Sequence, residues 1–206
     1  MEIISLELKN FVSYYNSTKF DFSTKTGNSG YAFFGAEGRG KTTLPNAIRW
    51  CLYGEVEASR MINGQMLTKK RPVIDAKQYD GDFKKSFPAP LLNDRAYYDS
   101  DFTMHVTLKF SHEDVNGVER QYTLKREIDK RLKPKPLSDT DLRIKASLSV
   151  DDSVVATAKI SETIAKIIPQ RVANFFFIEM DSIEKYAALL WGDTTDLRIR
   201  EDVDSI

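Results

Sequence analysis

One octapeptide constrains this chain more than any other segment. Its residues run Gly35-Ala36-Glu37-Gly38-Arg39-Gly40-Lys41-Thr42. They fit the pattern G-x-x-x-x-G-K-[ST], in which glycines let the backbone curl until successive N–H groups point at one phosphate. The pattern becomes meaningful when a strand precedes it and a helix follows it.

The flanking sequence supplies that context. Tyr31-Ala32-Phe33-Phe34 is a continuous apolar run of strand length, which predicts a strand buried on both faces. After the loop, apolar residues recur at helical spacing: Leu44, Ala47, Ile48, Cys51 and Leu52. Gly54 is a typical helix stop, and Pro45 is tolerated because it falls in the first turn. The order strand, glycine loop, helix predicts a P-loop.

A P-loop assigns chemistry to each of its parts. We expect ATP and Mg²⁺ as cofactors, with the phosphates held by the backbone of 35–43 and by the positive end of the following helix. Lys41 should reach the β- and γ-phosphates as the catalytic cation, and the Thr42 hydroxyl should ligate Mg²⁺. Thr43 completes the expected loop contacts. Arg39 either adds positive charge to the phosphates or points to solvent.

Alternation along the chain predicts a largely antiparallel sheet. Residues 2–11, 102–110, 122–128 and 142–150 alternate apolar with polar side chains, and 19–22 and 154–156 are shorter strand candidates. Asn116-Gly117 in the first connection is a strong hairpin signal. The stripe Ile160, Ile164, Ile167 and Ile168 predicts a helix that Pro169 closes. Further along, 175–178 resembles a buried strand and 181–190 a capped helix.

Residues 55–100 have a different character. Polar and turn residues dominate, and Pro72, Pro88 and Pro90 interrupt any long element. We interpret this stretch as an irregular insertion with poor internal order and short helices, within a single lobe that covers 1–206.

Composition excludes several classes of protein. The 206 residues are 41% hydrophobic and 29% charged, with 30 basic and 30 acidic side chains and a formal charge of zero. No apolar run approaches a membrane span, the N-terminus lacks the features of a signal peptide, and the single Cys51 suits a reducing cytoplasm. Because a dedicated nucleic-acid module is usually basic, DNA contacts would have to come from local patches: Lys69-Lys70-Arg71, or Lys130, Arg131, Lys133 and Lys135.

The segments around the loop resemble the N-terminal lobe of ATPase heads of the SMC/SbcC type, and most strongly those of the DndD branch, ATPases associated with DNA phosphorothioation. The resemblance is carried by Leu8-Lys9-Asn10-Phe11, the P-loop, the helix ending Leu52-Tyr53-Gly54, the run 174–183 and the tail 197–203. It implies an α/β fold, an ABC-type ATPase head N-lobe with a mixed or antiparallel sheet wrapped around the P-loop helix. It also implies an ATPase whose tail leads into a coiled coil.

The same resemblance implies site residues beyond the loop. The run 174–183 occupies the Q-loop position, where family members contact Mg²⁺ and water near the γ-phosphate. The usual glutamine is absent, so Glu179 or Asp181 would take its place in catalysis and metal binding; a solvated Glu179 and a helix cap at Asp181 explain the same residues. Ser13, after the first strand, would approach the nucleotide, although a strand-end turn accounts for it equally well.

A complete head of this family also needs a C-terminal lobe, which carries the ABC signature and a Walker B strand ending in Asp-Glu. No apolar strand of this sequence ends in Asp-Glu, so we expect a fragment that binds ATP and hydrolyses it poorly alone. The implied partners are DNA, the C-terminal lobe, a second copy through head dimerisation, and nuclease or modification subunits, with no membrane. Two alternatives stay open: a nucleotide-controlled association module without hydrolysis, and a self-contained small P-loop kinase or GTPase.

Overall fold

The structure, a computed structural model, describes residues 1–22, 31, 33–34, 36, 40–62, 65–79 and 87–173. The chain divides into two units, Met1–Ile160 and Ser161–Ile206. The described strands are β1 (Glu2–Phe11), β2 (Tyr14–Asp21), β3 (Glu57–Ile62), β4 (Gln65–Lys70), β5 (His105–Glu113), β6 (Glu119–Arg131), β7 (Leu142–Val150) and β8 (Ser153–Val155). The described helices are α1 (Thr43–Tyr53), α2 (Ala76–Tyr79), α3 (Asp94–Tyr98) and α4 (Ile160–Ile167).

Six strands form one antiparallel sheet in the order β2-β1-β5-β6-β7-β8. A row of buried leucines crosses it, because the register pairs Leu6 with Leu108, Leu108 with Leu124, and Leu124 with Leu148. Residues two apart on a strand share a face, so this register gives the sheet one continuous apolar surface. The strands and the hairpin predicted from alternation are thereby confirmed, with Gly117 adopting the positive φ of 76° that the hairpin turn requires.

Helix α1 packs on that apolar surface, against β1, β5 and β6. Its buried face includes Ala47, Trp50 and Cys51, and the ring of Trp50 lies 5.6 Å from that of Phe11 at the end of β1. The Cys51 Sγ lies 3.5 Å from Val106 O and 3.4 Å from Leu124 O, and burial raises the pKa of this thiol to about 12. Cys51 is therefore a packing residue held as a neutral thiol, and the predicted helix is confirmed.

Arg126 joins the end of α1 to the sheet. It occupies an inward position of β6, beside the leucine row, and its guanidinium donates from Nε to Cys51 O at 3.1 Å and from Nη2 to Leu52 O at 3.5 Å. Burial lowers the pKa of this guanidinium, but arginine remains charged at neutral pH. The cation thus satisfies carbonyls at the negative end of the helix. Gly54 adopts φ 80° beside it, where a Cβ would lie 2.9 Å from Arg126 Nη1.

The prediction of a buried strand before the loop is wrong for the residues that the structure describes there. Tyr31, Phe33 and Phe34 lie outside any strand, and Phe34 is 94% exposed. The rings of Tyr31 and Phe33 instead meet Phe22 edge-on, at 5.2 and 6.0 Å between centroids. An apolar aromatic run signals ring packing as strongly as sheet pairing, and here the rings pack on the end of β2.

The prediction of poor order over 55–100 is also wrong for its described residues. β3 and β4 form a two-stranded antiparallel hairpin, and the short helices α2 and α3 follow. Ile74, Leu91 and Leu92 are almost fully buried, and Leu91 N donates to Pro72 O at 2.9 Å. Prolines interrupted the periodicity that sequence reasoning relies on, but they did not prevent this segment from contributing to the core.

The described part of the second unit is short. Helix α4 carries an i,i+4 ion pair between Glu162 and Lys166 at 2.6 Å, and it ends before Pro169 as predicted. A 3₁₀ turn, Gln170–Val172, follows. The predicted elements at 175–178 and 181–190 lie outside the described residues.

We predict that Arg126→Met lowers the free energy of unfolding by about 1–3 kcal/mol, because it leaves the Cys51 and Leu52 carbonyls without their charged donor. The matched control is Arg143→Met on the next strand. Arg143 pairs with Asp129 on the surface, with 62% of its side chain exposed, and its loss should cost less than about 1 kcal/mol. Urea denaturation measures both; equal losses would contradict the role given to Arg126.

Candidate functional site

The described part of the glycine loop comprises Ala36 and Gly40–Thr43. Gly40 adopts φ 88°, a left-handed conformation that favours glycine. The Lys41 Nζ donates to Ala36 O at 2.9 Å, so the ammonium group joins the two ends of the loop. Gly35, Glu37, Gly38 and Arg39 lie outside the described residues. A cation at the opening of a glycine turn is suited to an anion with several oxygens.

The first turn of α1 leaves its positive end open to such an anion. Thr42 is the N-cap residue, its side chain makes no capping hydrogen bond, and the first turn contains no acidic residue. Pro45 is the third residue of the helix, where the missing N–H has no intrahelical partner to lose. Thr42 itself is exposed at this end of the helix. Helix dipole and backbone donors therefore act in the same direction.

The turn between β1 and β2 packs directly on this end of the loop. The Ser13 Oγ lies 3.4 Å from Thr43 Oγ1, and the Tyr14 hydroxyl donates to Gly40 O at 3.4 Å. A Cβ added to Gly40 would lie 3.1 Å from Tyr14 Cε2. Glycine is needed at position 40 for two reasons, its backbone conformation and the close approach of the Tyr14 ring.

A buried polar network holds that turn in a strained conformation. Asn10 and Val12 both have positive φ, 51° and 48°, and a β-branched residue such as valine rarely adopts it. The Asn10 Nδ2 donates to Asp101 Oδ2 at 2.8 Å and to Thr103 O at 3.1 Å, and its Oδ1 accepts from Asn16 N at 2.9 Å. Several fixed partners can over-determine a strained backbone in this way.

A second set of hydrogen bonds to this turn comes from residues just before α3. Val12 N donates to Leu91 O at 2.7 Å, and Asn93 Nδ2 donates to Val12 O at 2.7 Å. The peptide groups on both sides of Val12 are thereby fixed from a segment about 80 positions away. Sequence reasoning missed this support, because nothing in the local pattern of either segment names the other.

Two further predicted site residues lie outside the described part of the chain, and several basic candidates make contacts within the protein. Glu179 and Asp181 lie outside the described residues. Of the basic residues proposed for DNA, Lys70 pairs with Glu55 at 3.0 Å, Lys133 pairs with Asp141 at 2.7 Å, and Arg71 donates to Ala89 O and Pro90 O. Arg131 and Lys135 lie over the rings of Phe102 and Tyr97.

Two classes of site find no support in the described part of the chain. No group of three or more His, Cys, Asp or Glu side chains there is arranged to hold a metal ion. Among the same residues, no helix combines the length and apolar character that crossing a membrane requires.

Comparison with known proteins decides the family. A family model described as an AAA domain matches residues 5–201. This chain belongs to that AAA-domain family. The match includes the glycine loop, α1 and all of the antiparallel sheet except the first residues of β1, so the AAA domain accounts for nearly the entire sequence. No curated protein matches the chain at a significant level.

A solved structure shows the same fold. It is described as "Structural biochemistry of ATP-driven dimerization and DNA stimulated activation of SMC ATPases". The similarity covers 99% of this chain and 98% of that chain, with a TM-score of 0.52 and 20% sequence identity. The fold predicted from sequence, an α/β P-loop ATPase head lobe with a mostly antiparallel sheet, is confirmed.

We predict that Asn10→Ala lowers the free energy of unfolding by about 2–4 kcal/mol, because it removes three hydrogen bonds and places a Cβ-only side chain at positive φ. Asn116→Ala, in the exposed hairpin turn, is the matched control and should cost less than about 1 kcal/mol. Chemical denaturation followed by circular dichroism compares the two. Similar small losses at both positions would show that the network does not hold the turn.

Proposed function

We propose that this AAA domain binds ATP and Mg²⁺ as one half of an SMC-type ATPase head. The proposal is carried by the position of Lys41, whose ammonium group donates to Ala36 O across the loop. Lys41 follows Gly40, which has a left-handed backbone conformation, and precedes the start of α1, where no side chain caps the helix. Lys41 would hold the β- and γ-phosphates, and the backbone of 35–43 would donate to them. The sequence motif alone assigns a role in phosphate binding to the remaining loop residues, Gly35, Glu37, Gly38 and Arg39.

The donor set fits the expected cofactors. The hydroxyl of Thr42, an exposed residue at the start of α1, would be the protein ligand of Mg²⁺. A Mg²⁺ ion bound there would neutralise the charge that develops on the phosphates. Ser13, through its contact with Thr43, would limit how the nucleotide approaches the loop. Glu179 and Asp181 would supply carboxylates near the γ-phosphate, in place of the glutamine usual in such heads.

Hydrolysis requires a positioned water as well as held phosphates. The sequence contains no Asp-Glu pair with which a Walker B strand could end. We therefore propose that the water-activating carboxylate and the ABC signature come from a C-terminal lobe, and that two heads associate when ATP is bound. ATP-driven dimerisation is described for the SMC ATPases of the similar structure. A nucleotide-controlled association module is the second candidate, and binding without turnover in every assembly would favour it.

We propose that the ATPase takes part in a process that acts on DNA: repair, phosphorothioation-linked restriction or phage defence. Support comes from the resemblance to DndD and from the DNA stimulation described for the similar SMC ATPases. Lys130 is exposed near the end of β6, Lys135 lies over the Tyr97 ring, and Lys69 is exposed on β4. Nuclease or modification subunits would complete the machine in the cytoplasm.

Replacement of the loop lysine tests the proposal. Lys41→Ala should weaken binding of a fluorescent ATP analogue about 10–100-fold in the presence of Mg²⁺, because it removes charge-assisted hydrogen bonds. Lys109→Ala, an exposed lysine of β5, is the matched control and should bind as the wild type does. Equal affinity of the two variants, or no binding by the wild type, would refute the proposed nucleotide site.

A further inference from the structure

Asn46 is a buried polar residue whose side chain is incompletely satisfied. It lies in the first turn and a half of α1, with only 6% of its surface exposed. Its Oδ1 atom is buried and has no hydrogen-bond partner among the described residues. Such an acceptor costs free energy in the folded state. A buried acceptor without a donor points to a donor that arrives, or turns toward it, in another state of the protein.

Helix geometry places that acceptor at the loop. Asn46 lies four residues after Thr42 and three after Thr43, so the three side chains share one face of α1. The Cα–Cβ bonds of a helix tilt toward its N-terminus, which directs the Asn46 amide to the turn that carries both hydroxyls. Of these, the Thr43 hydroxyl is already beside Ser13 Oγ at 3.4 Å, whereas Thr42 is exposed at the helix start.

We propose that Asn46 is a positioning residue of this site, whose Oδ1 accepts the hydroxyl hydrogen of Thr42 when that hydroxyl binds Mg²⁺. The inference rests on the proposed function and deepens it. A hydroxyl that gives a lone pair to a cation becomes a stronger donor, and its hydrogen then needs an acceptor on the protein side. Asn46 supplies one in a place that water does not reach, and so fixes the direction of the Thr42 lone pairs.

The test uses opposite substitutions in the intact 206-residue chain. Asn46→Leu keeps the approximate shape and removes the acceptor, whereas Asn46→Asp keeps an acceptor at the same position. Asn93→Leu is the matched control, because Asn93 is buried with both ends of its amide satisfied, by Val12 O at 2.7 Å and Ala96 N at 3.2 Å. Two quantities are measured: the Tm without nucleotide, and the affinity for a fluorescent ATP analogue with Mg²⁺ and with EDTA.

We expect Asn46→Leu to melt at the wild-type Tm or up to about 4 °C above it, since it removes an unsatisfied acceptor. The same variant should lose about 10–100-fold of the affinity that Mg²⁺ adds, the usual effect of removing an outer-shell partner. Asn46→Asp should retain the Mg²⁺ dependence, and Asn93→Leu should lower the Tm. A residue with a purely structural role would not separate stability from metal dependence in this way.

Two results would overturn the inference. One is a fall in Tm for Asn46→Leu as large as that for Asn93→Leu, which would mean that the Asn46 amide already has its partners. The other is wild-type Mg²⁺ dependence in Asn46→Leu. If the wild type binds the analogue through Lys41 and either result is found, only the role of Asn46 fails. If the wild type binds no analogue, the proposed function fails and this inference fails with it.

Discussion

The guanidinium of Arg126 fixes one end of the helix on which the glycine loop depends. It stands in an otherwise apolar row of the sheet and donates to carbonyls at the end of α1, at 3.1 Å to Cys51 O. Trp50 and Cys51 pack the same helix on the sheet. The last turn of α1 is thus held by Arg126, and the helix contacts β1, β5 and β6. The positive end of the helix can therefore serve as a fixed electrostatic element of the site.

The opposite end of α1 is defined by the strained turn after β1. Asn10 and Asn93 hold Val12 at positive φ, and this conformation brings Ser13 and Tyr14 against Thr43 and Gly40. Strain maintained by several hydrogen bonds is common where geometry serves binding. The described end of the loop is thus supported by the turn after β1, and that turn is itself held by the segment before α3. Rigid support of this kind reduces the ordering that a ligand would otherwise impose.

Sequence reasoning found the features that repeat locally. The alternation of 2–11 and 102–150 gave the antiparallel strands, and the spacing of Leu44 to Leu52 gave α1, because one buried face determines each pattern. It failed where hydrogen-bond partners are far apart in the sequence, and where one kind of residue run is compatible with more than one local structure. Tyr31 and Phe33 pack their rings on Phe22 instead of pairing in a strand. Two partners of Asn10, Asp101 and Thr103, lie about 90 positions away.

Some residues of the candidate site could be found from the sequence motif, and others only from the structure. The motif named Lys41, Thr42 and the glycines, and the structure adds what the motif does not contain, the contacts of Ser13 and Tyr14 and the unsatisfied Asn46 amide. Asn46 could have been suspected from sequence as a polar residue on the buried face of an amphipathic helix. Its missing partner is visible only when the neighbours are in place.

The central claim is that this chain holds ATP in one half of a composite site. Binding and turnover of Mg-ATP, measured on the same preparation of the 206-residue chain, test it most directly. We expect saturable binding with little hydrolysis, and hydrolysis that appears when a lobe carrying the ABC signature and Walker B strand is added. Brisk, Lys41-dependent hydrolysis by the chain alone would contradict it.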